Sequence, residues 1–300
     1  KKKREWKIMA LILSVLEQGM IYGILALGVY ITYKILDFPD LTVDGSFPFG
    51  AAVTVRLISL GAPAVVTLPV AFLGGALVGM CTGLIHVKLK VRDLLSGIVM
   101  MTGLYTINLW MAGSGYVPIF NRETIFDNGI TNKLFAGALG SFKTVIVIFL
   151  ITMAAKYLLD WYMSTKSGFL LRAVGDNDTI VTSLGVDKGL IKILGLSIAN
   201  GLVSLSGCIY AQQQRSFEIS IGTGAVVIGL ASVIIGTSLF RKLTVLRVTS
   251  SVIIGSVLYK ACVALAMYAG IDANAIKLIT AVLFLIILVI SMDRKGKKKC

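Results

Sequence analysis

Gly168-Phe-Leu-Leu-Arg-Ala-Val-Gly-Asp-Asn177 is a polar, glycine-punctuated elbow in a chain that is otherwise almost wholly apolar. Val145 to Tyr162 precedes it and Leu190 to Ala211 follows it. Both flanks reach the roughly 18 apolar residues that a membrane-crossing helix needs. A bilayer protein needs no such elbow merely to fold. A helical elbow carrying Arg172, Asp176, Asn177 and Asp178 offers a docking surface to a soluble partner. Gly168, Ala173, Val174 and Gly175 complete that surface. Asp176 or Asn177 is placed to cap a following short helix by accepting from its free amides.

Composition agrees with the flanks. Hydrophobic residues make up 56% of the chain and charged residues 15%, and the mean hydropathy is +0.88. A soluble chain is closer to a quarter charged and could not hide this much apolar surface. The net charge of +14 sits at the edges of apolar runs. Lys1, Lys2, Lys3, Arg4 and Lys7 precede the first; Lys88, Lys90 and Arg92 lie between two; Arg294, Lys295, Lys297, Lys298 and Lys299 follow the last. That is the placement of the positive-inside rule, and no aromatic-interleaved basic face for nucleic acid accompanies it. Membrane lipid, not nucleic acid, is the expected surrounding. Cys81, Cys208, Cys262 and Cys300 form no CxxC pair, and the single histidine, His86, lies at a helix end. No metal site and no catalytic residue is expected. The first apolar run exceeds a signal-peptide core and lacks a small-residue cleavage site, so it reads as a retained helix.

The clear apolar runs are Ile8 to Tyr33, Pro63 to Val87, Leu94 to Ala112, Val145 to Tyr162, Leu190 to Ala211, Val245 to Ala269 and Ala275 to Met292. Two shorter, glycine-rich segments, Gly45 to Leu60 and Gly222 to Phe240, each follow a polar stretch: Asp37 to Asp44, and Gln212 to Glu218. Gln18-Gly19 and Asn200-Gly201 occupy the long helices that lead into them. Paired short segments in two halves of a chain mark an inverted-repeat transporter. The expected fold is all-α: a polytopic transmembrane helix bundle of about 8–9 membrane segments, with inverted-repeat character and one or two short or re-entrant segments. It forms a single domain over 1–300, with halves at about 8–112 and 190–292 and a cytoplasmic loop at about 164–189.

Glu17, Gln18, Asp44, Ser46, Tyr105, Asn108 and Asn200 are the polar groups placed to line a substrate pathway, or to bond across helices. Asp44 abuts a short segment and is the better interior candidate; Asp37 and Asp40 read equally well as ordinary loop carboxylates. Gly74, Gly75, Gly79 and Gly83 read as helix-contact positions. Gly185-Val-Asp-Lys-Gly189 lacks the closing Gly-Lys-Ser/Thr of a phosphate loop, so the chain is expected to bind no ATP.

The elbow, continued by Ser-x-Gly-Val-Asp over Ser183 to Asp187, resembles the coupling loop of bacterial ABC-transporter permeases of the branched-chain amino acid and ribose superfamily. Phe38-Pro-Asp-Leu-Thr-Val-Asp-Gly-Ser-Phe-Pro48 resembles the narrower group of tryptophan/tyrosine import permeases. The segment Val233-Ile-Ile-Gly-Thr-Ser238 resembles a family turn with Thr237 in place of a second glycine. The resemblance implies a homodimeric permease pore, two ATPase subunits that carry the ATP and Mg, and an extracytoplasmic binding protein or lipoprotein, all at the bacterial cytoplasmic membrane. The solute implied is amino acid-like, and the narrower group implies an aromatic one.

Two other classes stay open. An ion-coupled secondary transporter would use Glu17 or Asp44 as its coupling site and would not need the elbow. An intramembrane enzyme would need a converging nucleophile, base or metal set. Topology carries a conflict: if both short segments cross fully, the basic N-terminus lies outside. The basic cluster places the N-terminus inside, which puts Asp37, Asp40 and Asp44 on the outer side and makes Gly45 to Leu60 re-entrant.

Overall fold

The computed structural model describes residues 2–129, 131, 142–183, 185–240 and 247–268, together with 278, 280–282, 284–286 and 289. Helix α1 spans Lys2–Val29 and continues through a π-helical turn, Tyr30–Ile35. It is followed by α2 (Val43–Ser59), α3 (Thr67–Lys88), α4 (Asp93–Ala112) and α5 (Lys143–Met163). Then come α6 (Lys166–Asp176), α7 (Asp178–Ser183), α8 (Lys188–Gln214), α9 (Ala225–Leu239) and α10 (Val248–Tyr268). Seven stretches among the described residues are long and apolar enough to cross a membrane. Helix α2, with 17 residues, is buried along most of its length but is shorter than those seven. The predicted run Ala275 to Met292 lies largely outside the described residues. The protein is a multi-pass helical membrane bundle, as its composition requires.

Two long helices each break and return as a short one. The first unit is α1, the break at 36–42, and α2; the second is α8, the break at 215–224, and α9. Pro39 and the left-handed Asp37 (φ 50°) end the first long helix. Left-handed Arg215 (φ 54°) ends the second. The units run antiparallel. The end of α1 meets α6, where the Ile35 carbonyl lies against Gly175, while Glu17, nearer the start of α1, meets Gln213 at the end of α8. The inverted order read from the sequence is therefore built into the bundle.

That geometry corrects one expectation. Helix α1 is unbroken from Lys2 to Ile35, so its two ends lie on opposite faces. The Asp37 to Asp44 stretch shares the face of α6, and the basic start of α1 lies on the other. The cluster at the start of the chain is outweighed on the α6 face by Lys34, Lys88, Lys90, Arg92, Lys166, Arg172, Lys188 and Lys192. The opposite face mixes signs: Glu17, Arg122, Glu123, Asp127, Lys143 and Arg215.

Packing depends on small residues, as expected where lipid tails are as apolar as side chains. Gly75, Gly79 and Gly83, one per turn along α3, lie against Ser204, Leu196 and Ile193 of α8. Gly74 meets the Phe49 ring. Gly236 of α9 sits on the Ser251 carbonyl of α10. Val233 to Ser238 is thus helix and not a turn: Thr237 simply donates its hydroxyl to Val233 O at 2.7 Å. One short β-ribbon, unforeseen in an all-α reading, joins the loops after α4 and α8. Tyr116–Pro118 (β1) pairs antiparallel with Ser216–Glu218 (β2), Val117 facing Phe217.

Candidate coupling surface and translocation site

Helix α6 is amphipathic. Thr165 caps it, accepting from Gly168 N at 3.4 Å, and Gly168 packs on the last turn of α5. Leu171 and Val174 are buried, and Leu171 meets Gly195 of α8 beside Leu36. Gly175 is ordinary helix, not a left-handed turn; its lack of a side chain matters because a Cβ there would run into the Ile35 carbonyl oxygen. The end of α1, which departs from α-helical spacing through Leu36 N to Ile31 O at 2.9 Å, rests directly on α6. The outward stripe is Lys166, Phe169, Arg172 and Asp176, with Ala173 partly covered and Asn177 exposed at the end. Phe169, at 60% exposure, is a residue the sequence reading passed over. Its signal was its spacing: three residues from both Lys166 and Arg172, on the face opposite Leu171. After α7, left-handed Gly185 (φ 74°) makes a turn and Asp187 caps α8, accepting from Gly189 N at 2.8 Å.

Two of the proposed pathway residues, Ser46 and Asn200, meet inside, together with Asp40. Asn200 of α8 accepts from Ser46 Oγ at 2.7 Å and donates to Asp40 Oδ2 at 2.8 Å. Asp40 also accepts from Thr42 N at 2.8 Å. Asp40 is 5% exposed and so more deeply buried than Asp44, the reverse of the ranking read from the sequence. Nearby, Asn108 donates to Gly45 O at 3.1 Å. These groups hold the first break against α8 and α4, which is how irregular backbone is tolerated at membrane depth.

Asp44 does something the sequence did not disclose. Its carboxylate accepts from Gly224 N at 3.1 Å and Val226 N at 2.8 Å. It stands in the first turn of α2 and binds the first amides of α9. Two helix N-termini, each with partial positive charge, thus meet across one carboxylate. Pro48 deprives the Asp44 carbonyl of its helical donor, and Gly222 packs on that carbonyl.

The remaining proposed residues lie elsewhere. Tyr105 is on the exposed face of α4, apart from this group, and Gln18 is half-buried in α1. Glu17 accepts from Gln213 Nε2 at 3.0 Å. It lines a cavity of about 200 Å³ with Asp127, Lys143, Gln212 and Arg215, opposite the α6 face. Arg215 binds Asp127 there at 2.8 Å. At the other face, buried Asp160 joins α5 to α10, taking Lys156 at 3.0 Å, Thr249 at 2.7 Å and Arg247 at 3.3 Å. Among the described residues no three His, Cys, Asp or Glu side chains converge as metal ligands.

The family profile described as branched-chain amino acid transport system / permease component matches residues 11–291. A tyrosine transport system permease protein of Clostridioides difficile is 40% identical over 274 residues, covering 91% of this chain and 89% of that one. A ribose import permease protein of Escherichia coli is 27% identical over 229 residues, covering 74% of this chain and 68% of that one. No solved structure matches the chain. A membrane bundle of this make, matched along nearly its whole length, belongs to the family of branched-chain amino acid transport system permease components.

Proposed function

We propose that this chain forms the translocation path of an ATP-driven importer for an amino acid, aromatic in kind, in the bacterial cytoplasmic membrane. The observation that carries the reading is α6: an amphipathic helix with an exposed Lys166–Phe169–Arg172–Asp176 stripe, seated through Gly175 on the end of α1. A helix so placed converts a push from a soluble partner into displacement of α1. The partner is an ATPase subunit, which carries the ATP and Mg; two copies serve a pair of permease chains, two copies of this one. The aromatic solute follows the tyrosine transport relative. A binding protein or lipoprotein delivers it to the face that carries the Glu17 cavity. Alternating access follows if the ATP-bound and ATP-free pairs contact α6 differently. An ion-coupled transporter would leave the exposed stripe without a purpose.

The test is purification of the chain from its native host in mild detergent. A soluble ATPase should travel with it, and the complex should hydrolyse ATP while the bare chain does not. Hydrolysis by the bare chain, or purification with no ATPase under conditions that preserve transport, overturns the reading.

A further inference from the structure

Lys260 projects from the middle of α10 into the bundle. Its ammonium lies 3.7 Å above the centre of the Tyr22 ring. That ring stacks on Phe47 at 5.6 Å and meets Tyr210 edge-on at 5.9 Å; Phe47 and Tyr210 are 5.5 Å apart. Helices α1, α2, α8 and α10 thus bring three rings and one cation together. By contrast, Lys156, also held inside the bundle, has the Asp160 carboxylate at 3.0 Å. Among the described residues Lys260 has no carboxylate and no hydrogen-bond acceptor. Ionisable groups inside a membrane bundle are costly, and they occur where a partner or a pathway requires them. The face of a ring offsets only part of the lost hydration.

The cluster also lies in the right place. Glu17 precedes Tyr22 by five residues on α1, and Gln213 follows Tyr210 by three on α8. The Glu17–Gln213 bond, in the lining of the Glu17 cavity, therefore lies about one turn from the rings. A solute entering from that face meets Glu17 first and the rings next.

We propose that Lys260, Tyr22, Phe47 and Tyr210 form a binding station for the carboxylate and ring of an aromatic amino acid in transit. This rests on the import reading above and names the residues that would hold its solute. Without solute, Lys260 rests on Tyr22. An arriving carboxylate offers a charge-assisted hydrogen bond, which is stronger at low dielectric than a ring face. The ammonium then turns from ring to carboxylate, and the rings, which need no directional partner, receive the aromatic side chain by stacking.

The test uses the complete importer, permease with ATPase and binding protein, in proteoliposomes fed radiolabelled tyrosine. Lys260→Met should lower the maximal uptake rate at least tenfold, with the half-saturating concentration of binding protein unchanged. Lys260→Arg should keep a third or more of the rate. Both variants should melt as the wild type does, which separates recognition from folding. If Lys260→Met does not melt normally, Lys260→Gln is read in its place. Undiminished uptake by the neutral variant, or equal loss in Met and Arg variants that melt normally, overturns the Lys260 site alone. A wild-type complex that hydrolyses ATP but imports no aromatic amino acid overturns the solute reading on which the site rests.

Discussion

At Gly175 a single missing side chain joins two elements. The Ile35 carbonyl occupies the space where a Cβ would stand, so even alanine forces the end of α1 away from α6. Overpacking of this kind costs about 1–3 kcal/mol, and here the strain falls on the contact between α6 and the end of α1, through which the proposed coupling would act. Gly175→Leu should cut uptake at least tenfold while ATP hydrolysis continues, with helical content unchanged by circular dichroism. Arg172, by contrast, is exposed. Arg172→Glu should leave stability within about 0.5 kcal/mol yet weaken the hold on the ATPase, seen as subunit loss on gel filtration. Full uptake in both variants would move the coupling surface away from α6.

The short helices α2 and α9 are joined at their N-termini. Helix α2, 17 residues long, is too short to span a roughly 30 Å hydrocarbon layer unaided, α9 reaches a membrane-crossing length only together with the turn before it, over Ile219–Leu239, and each begins inside the protein. Their N-termini meet at Asp44, whose two oxygens serve amides of α9 while its charge opposes both helix dipoles. Asp44→Ala should lower unfolding stability by roughly 2 kcal/mol. Asp44→Asn, which keeps an acceptor but not the charge, should cost about half as much. Thermal melting in detergent reads both. Identical melting of Asp44→Ala and wild type would mean that water replaces the carboxylate, and the pair would need another explanation. The same element logic applies to Asn200, which ties α8 to the first break through Ser46 and Asp40.

For the whole molecule, the antiparallel arrangement of the two broken units determines sidedness. Asp37 lies on the α6 face, whereas Asn128 belongs to the loop that meets the end of α8 through the Arg215–Asp127 bond. In a background with Cys81, Cys208, Cys262 and Cys300 replaced, Asp37→Cys and Arg172→Cys should react with a membrane-impermeant thiol reagent from one side. Asn128→Cys should react from the other. With α6 facing the cytoplasm, intact cells label only Asn128→Cys. Labelling of Asp37→Cys together with Asn128→Cys would restore the re-entrant arrangement that the basic start of the chain first indicated.

The membrane class, the long helices and the two short ones were legible because they rest on local properties: run length, hydropathy, and glycine or proline at a break. The α6 elbow was legible for the same reason, being polar where its flanks are not. What required the tertiary structure was every pairing between distant segments. Asp40 and Asp44 lie four residues apart in similar sequence, yet one is locked to Asn200 and the other bridges two helix ends. Gly175 carries no local mark of a close contact, because the group it accommodates is a carbonyl 140 residues earlier. Lys260 drew no notice inside an apolar run, and only the crossing of α1, α2, α8 and α10 sets it over three rings. Burial of a charge is a property of the assembled bundle. Hydropathy along the chain determines that a helix enters the membrane, but packing determines which of its faces meets protein and which meets lipid.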